Sequence, residues 1–282
     1  MKYIYIIVLI FSSNLSNFIF SQKVEFGINT GYSFPNSNAI IGKQEIDING
    51  NQYSISNIIG SFSAGLNYGL TTNLKIHEHV KLCLGFDFLK GNEITLYNYD
   101  VNDTILKISG KAIQQRFSPG FMFHFPTKKI SFFARTSLVI PLKTETEITE
   151  SRSSNDISIY QLKKRLDYNF NLGFQYAIGA EVNLNKSLKL SLSMESLLNN
   201  MTIKSSKTAE YSQNGIDVLA NQTEYTKNTN FHKNLNNFSN NLEYNNFTTS
   251  DKAKDELTFD HDFSAFILKF SVIYVLKSKS HD

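Results

Sequence analysis

Long stretches of this chain alternate between apolar and polar residues with a period of two. Between residues 168 and 184, the even positions are aromatic or aliphatic, whereas the odd positions carry Asn, Gly, Gln, Ala and Glu. Residues 61–76 repeat the pattern, with small or polar residues at most odd positions. Only a β-strand places successive side chains on opposite faces. The alternation therefore predicts long strands with one apolar and one polar face.

Eight segments share this pattern, and each keeps its charged residues on one face. The predicted strands span residues 24–34, 61–76, 80–88, 113–125, 130–142, 168–184, 188–198 and 266–276. Within these spans, no Asp, Glu, Lys or Arg falls on the apolar face. The opposite face carries Glu25, Lys81, Asp87, Arg116, Arg135, Glu181, Lys189, Glu195 and Lys269.

The lengths of the strands and of their connections favour a membrane barrel over a soluble sandwich. Strands of soluble proteins usually have about five or six residues, whereas a tilted membrane strand needs about 9 to 11. Long and short connections alternate, and the short turns fall at residues 77–79, 126–129 and 185–187. Outer-membrane barrels have short periplasmic turns and long extracellular loops. We therefore predict an all-β fold, an eight-stranded antiparallel transmembrane up-and-down β-barrel with long extracellular loops.

The first residues of the chain predict export. Lys2 precedes an apolar run at residues 4–11, and a polar segment rich in small residues follows. The run is shorter than the roughly 20 residues of a transmembrane helix, and it has the layout of a secretory signal peptide. We expect residues 1–21 to be the signal peptide and residues 22–282 to be the barrel domain, with a long outer loop at about 199–265. The alternative is a buried N-terminal strand of a cytosolic protein.

Composition narrows the range of ligands. The chain has one cysteine, Cys83, which excludes an intramolecular disulfide and a cysteine-cluster zinc site. Cys83 lies on the polar face of its strand, where a buried inert thiol is expected. The formal net charge of +3 gives no strong basic field, so no nucleic-acid partner is expected.

Histidines form two candidate sites near the predicted short turns. The tripeptide His77-Glu78-His79 resembles a metal pair, but a zinc site needs three or four ligands, and a solvated polar turn is the favoured interpretation. His124 falls on the polar face of its strand, where it is either a structural lumen histidine or a general base.

A third candidate lies at the start of the last predicted strand. Asp260-His261-Asp262 fits a weak cation or catalytic cluster, or else a polar rim. Nucleophilic catalysis requires a serine, a base and an orienting carboxylate together, and no G-x-S-x-G elbow occurs. We therefore assign no catalytic, cofactor-binding or metal-binding residue and expect no cofactor.

The charges on the polar face nearly balance, which predicts a closed network in the lumen rather than water. An eight-stranded barrel has an interior just wide enough for its own side chains, so a small pore is not expected. Phe174 is expected on the lipid face and Asn171 on the lumen face. Heights counted from the short turns predict three ion pairs between neighbouring strands: Asp87 with Arg116, Glu181 with Arg135, and Glu195 with Lys269.

Several segments carry a family resemblance. They are the signal peptide ending in FSQ, the first strand FGINTGYSF, the paired strands SAGLNYGLTTNL and KLCLGFDFLKG, and the late strand NLGFQYAIGAEVNL. Together they resemble the small eight-stranded outer-membrane β-barrel proteins of the PorT-like and OmpA-barrel-like kind. The resemblance implies this fold and a location in the bacterial outer membrane, and it carries no catalytic residue across.

Two functions are compatible with such a barrel. The first is a non-enzymatic anchor, adhesin, or assembly or secretion accessory that acts through its extracellular loops. The alternative is an outer-membrane enzyme that modifies lipid or peptide at the outer rim. Expected partners are outer-membrane lipid and, as further candidates, an extracellular ligand or other envelope proteins; a monomer is expected. The segment 199–250, rich in Asn, Thr and Ser, is either an exposed recognition loop or partly disordered with strand extensions.

Overall fold

The structure, a computed structural model, describes residues 23–35, 40–47, 53–101, 104–127, 129–154 and 157–276. The predicted signal peptide, residues 1–21, lies outside the described residues, and so does the tail at 277–282.

Within the described residues the chain forms seventeen strands and very little helix. The strands are β1 (Val24–Pro35), β2 (Ile40–Asp47), β3 (Tyr53–Ile59), β4 (Gly65–His77), β5 (Val80–Gly91), β6 (Ile94–Val101), β7 (Thr104–Phe125), β8 (Ile130–Ser154), β9 (Ile157–Tyr168), β10 (Gly173–Asn183), β11 (Leu188–Leu198), β12 (Asn200–Gln213), β13 (Ile216–Asp217), β14 (Asn228–His232), β15 (Lys254–Leu257), β16 (Asp260–Asp262) and β17 (Ala265–Val275). A 3₁₀ turn (Leu219–Asn221) and the short helix α1 (Glu224–Lys227) lie between β13 and β14. No helix in this part of the chain has the length and apolar character needed to cross a membrane.

Eight of the strands close into an antiparallel barrel, which confirms the predicted all-β, eight-stranded architecture. The order around the ring is β1, β4, β5, β7, β8, β10, β11 and β17, and β17 pairs with β1 to complete it. Tight turns join β4 to β5, β7 to β8 and β10 to β11 at one end, which we call the short-turn end. The longer connections leave from the opposite, long-loop end. Closure removes the exposed strand edges that an open sheet would present.

The strands of the barrel are strongly staggered. Stepping once around the ring through directly paired residues leads from Val24 to Phe34, ten residues farther along β1. The intermediate residues are Leu74, Leu82, Phe121, Thr136, Tyr176, Ser196 and Phe266. Such a stagger requires the strands to tilt by about 35–45° from the barrel axis. At that tilt, ten residues of strand rise by about 25 Å along the axis.

The barrel is apolar outside and charged inside, the reverse of a soluble domain. In β17, buried and exposed residues alternate without exception. The large apolar residues Phe266, Leu268 and Phe270 are exposed, whereas Lys269 is only 2% exposed. The other strands follow the same rule, so all nine charged residues predicted on the polar face lie inside the barrel. We call the outward apolar side chains of the eight strands the apolar belt.

Aromatic residues concentrate toward both ends of the apolar belt. According to the strand register, one group lies near the short turns and consists of Phe26, Phe123, Phe125, Phe132 and Tyr274. A second group lies toward the long-loop end and includes Tyr32, Phe34, Tyr68, Phe174, Tyr176 and Phe266. Ile28, Leu70, Ile178 and Leu192 lie between them and are exposed, together with two aromatic residues, Phe86 and Phe270, which pair with Leu70 and Leu192.

The predicted strand 61–76 starts too early. In the structure β4 begins at Gly65, because Ala64 N donates to Ser61 O (3.1 Å) and closes a turn. Gly65 has a φ of +149°, and a Cβ there would lie 2.3 Å from Lys90 O, so only glycine fits. Phe62, predicted on the apolar face, is instead 2% exposed.

The predicted strand 168–184 is two strands. β9 ends at Tyr168 and β10 begins at Gly173, with Phe170 exposed between them. Asn171 therefore lies outside the barrel strands, and its Nδ2 donates to Asn200 O (2.6 Å), so the prediction that it faces the lumen is wrong. Phe174 lies on the outward face of β10, as predicted.

The connections at the long-loop end, predicted to be loops, are largely strands. They form a second sheet region, the crown, from β2, β3, β6, β9, β12–β16 and the ends of β7 and β8 that extend past the barrel. β7 and β8 are each continuous through both regions, and their pairing has one β-bulge, at Leu142, where the register shifts between Gln115 and Arg116. The crown strands were not predicted because their residues do not alternate between apolar and polar types. Residues 144–147, for example, alternate between Thr and Glu, which are both polar.

The crown has a small conventional core above the barrel. Phe62, Ala112, Met201 and Phe263 are buried against each other, with Ile94, Leu96, Ile148 and Tyr168 packed around them. A second group deeper in the barrel contains Val139, Leu197, Ala265 and Ile267. These apolar layers close the long-loop end of the lumen.

Candidate functional site

The histidines of the first short turn contact no third ligand. The rings of His77 and His79 have their centroids 6.4 Å apart, and His79 Nδ1 lies 3.1 Å from His124 O. Among the described residues, no group of three or more His, Cys, Asp or Glu side chains is arranged to hold a metal ion. The turn therefore offers an exposed polar end to the barrel, with His79 bonded to the neighbouring hairpin.

Four charged side chains form a network at the short-turn end of the lumen, here called the lower ion cluster. Lys81 Nζ lies 2.8 Å from Glu25 and 3.5 Å from Glu181. Lys189 Nζ bridges the same two carboxylates, at 2.8 Å and 3.1 Å. His124 Nε2 lies 3.4 Å from Glu181. Two acids and two lysines alternate in a closed ring, so each buried charge has opposite charges beside it.

A second network, the upper ion cluster, lies closer to the crown. Lys269 Nζ bridges Asp87 (3.1 Å) and Glu195 (3.0 Å). The same Glu195 carboxylate accepts hydrogen bonds from Arg135, Gln175 and Ser193. Cys83 lies buried with Met122 and Phe133 in an apolar layer between the two clusters.

Of the three predicted ion pairs, one is confirmed. Glu195 and Lys269 lie on adjacent strands and pair directly. The pair Glu181–Arg135 is wrong, because the register places Glu181 opposite Ser131, four residues along β8 from Arg135. That separation is about 13 Å, too far for contact. Arg135 bonds to Glu195 instead.

The pair Asp87–Arg116 is also wrong, although its two residues are directly opposite on β5 and β7. Arg116 donates to Asn67 Oδ1, and Asn67 in turn donates to Ser33 Oγ. Asp87 pairs across the lumen with Lys269. The lumen is narrow enough for side chains to reach the opposite wall, so neighbouring strands do not determine the partners.

The third candidate cluster lies where the crown meets the barrel. His261 Nδ1 is 2.8 Å from the Tyr168 hydroxyl, which is 2.7 Å from Thr146 Oγ1. The His261 ring packs on Phe62, with centroids 4.5 Å apart. Burial lowers the pKa of His261 to about 4, although Asp260 opposes the shift, and burial raises the pKa of Tyr168.

Both carboxylates of the same cluster accept a hydrogen bond from the protein, one from a side chain and one from the backbone. Asp260 Oδ1 accepts from Thr202 Oγ1 (2.5 Å), and Asp262 Oδ1 accepts from Ser264 N (2.8 Å). A cavity of about 270 Å³ borders all three residues of the tripeptide. The described contacts of His261 include no serine or cysteine nucleophile, which leaves a partly buried imidazole, neutral at pH 7, beside a small cavity.

The Asn-rich segment is an ordered loop, braced by one asparagine that sequence reasoning missed. Asn240 Nδ2 donates to the carbonyl oxygens of Thr249, Lys252 and Ala253, at 2.9–3.2 Å. Its Oδ1 accepts from Thr249 N (2.8 Å). Asp255 binds the backbone N–H of Asn240 (2.7 Å) and, at its other oxygen, His232 Nε2 (2.8 Å). Asparagine side chains form the same hydrogen bonds as backbone amides in such loops. The abundance of Asn in this segment was therefore the sequence feature from which a braced loop could have been predicted.

The braced loop presents apolar side chains to solvent. Phe238 and Phe247 are 87% and 89% exposed, and Leu242 and Tyr244 are exposed beside them. We call these four residues the loop patch. A cavity of about 520 Å³ adjoins it, lined partly by Tyr225, Tyr244 and Leu257. Exposed apolar side chains on an ordered scaffold are characteristic of binding surfaces.

Comparison with protein-family models and with curated proteins found no match to this chain. Its function therefore has to be argued from the barrel, the two ion clusters and the crown.

Removing one charged member of the upper ion cluster should destabilise the barrel strongly, and removing its partner as well should add less than the partner's removal costs alone. Glu195→Gln leaves Arg135 buried without a carboxylate and should lower the free energy of unfolding by about 3–5 kcal/mol. Adding Arg135→Gln should cost less than the sum of the two single changes, with a coupling above about 1 kcal/mol. Urea titration of all four proteins in detergent micelles measures this, and strict additivity would contradict the ion pair.

Asn240→Ala should loosen the crown loop without unfolding the barrel. Losing several buried hydrogen bonds should cost about 1–3 kcal/mol locally. Hydrogen exchange at the Thr249 and Asp255 amides should accelerate, whereas exchange in β17 should not change. Asn246→Ala is the matched control, because Asn246 is exposed in the same loop. Equal acceleration in the two variants would show that Asn240 is not the brace.

The contact of the crown with the barrel should weaken in mild acid. Unfolded His261 takes up a proton near pH 6.5, whereas in the folded crown it stays neutral down to about pH 4. The unfolded state then binds more protons between these values, so stability is constant above pH 6.5 and falls as the pH falls toward 4. The Phe62 N–H donates to Asp262 O, so hydrogen exchange at the Phe62 amide measures the opening of the crown from the barrel. His261→Phe should flatten the profile; an unchanged profile would refute the assignment to His261.

Proposed function

We propose that this chain is an integral outer-membrane protein that presents its crown outside the cell as a rigid, non-enzymatic recognition surface. The observation that carries the proposal is the apolar belt on a closed, charge-filled barrel. A soluble protein seldom exposes a contiguous apolar patch above a few hundred Å². Here exposed apolar side chains continue around all eight barrel strands.

The dimensions of the belt favour a bilayer as the surrounding medium. Its height of about 25 Å matches the apolar band of outer-membrane barrels. Aromatic residues at both ends of the belt resemble the girdles that lie at the two membrane interfaces. Every backbone group in a bilayer core must be paired within the protein, and the closed ring meets this requirement.

Export and orientation follow from the same proposal. Residues 1–21 act as a cleaved signal peptide, and the short-turn end faces the periplasm. The crown, with the loop patch, then faces outward. The partners are outer-membrane lipid around the belt and an extracellular ligand or another envelope protein at the loop patch. The protein works as a monomer.

The packed lumen argues against a channel. The ion clusters, the layer at Cys83 and the apolar layers below the crown occupy it above the cavity at the short-turn end. Planar-bilayer recordings should therefore give no steady large conductance.

An enzyme at the outer rim is the second candidate, and one observation favours it. His261 is partly buried, hydrogen-bonded to Tyr168 and adjacent to a cavity. A general base must reach the proton it abstracts. The partner of His261 is a tyrosine whose pKa is raised, so the group it contacts is a poor nucleophile. Turnover of lipid analogues that His261→Phe abolishes would favour the enzyme.

Surface labelling tests the orientation and the membrane location together. Because Cys83 is buried, an introduced cysteine is labelled over a low background. Asn246→Cys in the crown loop should react with a membrane-impermeant maleimide on intact cells, whereas Lys186→Cys at a short turn should react only after lysis. The protein should float with outer membranes and migrate faster on gels unboiled than boiled. Recovery as a soluble periplasmic protein would refute the proposal.

A matched pair of isoleucines tests the belt. Ile178 in the belt and Ile157 in the crown are similarly exposed, at 65% and 68%. Ile178→Arg should lower the free energy of folding into liposomes by about 2–4 kcal/mol, because a charge near the bilayer midplane is desolvated. Ile157→Arg, in water, should change it by about 0.5 kcal/mol or less. Equal effects in urea titrations would show that Ile178 is not in lipid.

A further inference from the structure

Lysines converge on the mouth of the barrel at its short-turn end. A cavity of about 330 Å³ opens there, and its lining includes Lys23, Lys75, Lys81 and Lys189. A second cavity of about 500 Å³ shares Lys23 and Lys189 and adds Lys186, together with Asn183 and Asn185. The two cavities share two lysines and therefore lie side by side.

The carboxylates nearby do not neutralise this group. Glu25 and Glu181 are both engaged by Lys81 and Lys189 in the lower ion cluster. Glu78, at the rim, is the one other carboxylate in the lining of the first cavity. Lys23, Lys75 and Lys186 have no ion pair or side-chain hydrogen bond within the described residues.

The backbone places two of these like charges directly opposite each other. Lys75 on β4 pairs with Lys81 on β5, an arrangement that is destabilising on a sheet. Lys75 N also donates to Lys23 O (3.2 Å), which brings a third lysine to the same place. The pKa of Lys23 is lowered, first by partial desolvation and then by the charge of Lys189; Glu25 opposes this shift, and Lys81 and Lys75 add smaller contributions that lower the pKa further.

We propose that this mouth is a binding site for a phosphate group. Ammonium groups act as point charges toward phosphate, and several of them around one pocket suit an anion of more than one charge. An anion there would relieve the repulsion that the strand register imposes. The phosphate is supplied either by a lipid headgroup of the adjacent leaflet or by a free phosphate compound, and the two sources share this chemistry.

Two variants of equal charge test the site. Lys23→Gln/Lys75→Gln/Lys186→Gln removes the three unpaired cations of the mouth and leaves the lower ion cluster intact. Lys204→Gln/Lys207→Gln/Lys252→Gln removes three exposed crown lysines and serves as the control. Both should fold as the wild type does, as judged by the shift in gel mobility on boiling.

The first arm is calorimetric titration of inorganic phosphate in octyl glucoside at low salt. The second is native mass spectrometry of phosphatidylglycerol retained from nanodiscs. The mouth variant should lose at least about tenfold in phosphate affinity, retained phosphatidylglycerol, or both. The control should stay within about twofold of wild type.

If the mouth variant loses binding only in the phosphate titration, the ligand is a free phosphate compound. If it loses binding only in the phosphatidylglycerol measurement, the ligand is a lipid headgroup. Either result supports the site. Wild-type binding by the mouth variant in both arms, equal loss in the control, or no binding by the wild type in either arm would overturn the proposal. These arms are read in detergent and nanodiscs and do not depend on which end of the barrel faces outward.

Discussion

Every charge that the barrel carries must be satisfied inside a space only as wide as its own side chains. The apolar belt leaves no other place for nine charged residues, and isolated buried ions are prohibitively costly. The two ion clusters meet this constraint for eight of the nine by bridging: Lys189 and Lys81 each contact two carboxylates, and Lys269 contacts two more. Arg116 lies outside both clusters and donates to Asn67 Oδ1 instead. The same side chains that satisfy the charges fill much of the space between the barrel walls.

The crown distributes its apolar and polar residues differently from the barrel. Its core around Phe62 is apolar inside and polar outside, and its strands carry Thr and Glu where the barrel strands carry Phe and Leu. His261 and Tyr168 lie at the boundary, where side chains of the crown rest on the barrel. The exposed apolar side chains of the loop patch lie above this boundary, in a loop that Asn240 braces with its side-chain hydrogen bonds.

Much of the barrel could be read from the sequence because one physical signal repeats in every strand. Period-two alternation predicted eight strands and the face that each side chain occupies. The faces are well determined because a one-residue error would move charges into the apolar belt. The alternation failed at Phe62 and Tyr168, where apolar residues continue the pattern beyond the barrel into the core of the crown. Ion pairing was predictable only for Glu195 and Lys269, because the other partners depend on stagger and on contacts across the lumen. The brace at Asn240 requires contacts between residues 240 and 255 that no periodicity marks.

The unbroken passage of β7 and β8 from barrel to crown has a mechanical consequence. A force that pulls the crown away from the barrel acts along these two strands and loads their shared ladder in shear, so many hydrogen bonds must yield at once. A hinge between the two regions would instead let bonds open one after another. A surface attached in this way keeps its angle to the barrel under load, and whatever it holds is held at a fixed distance from the belt.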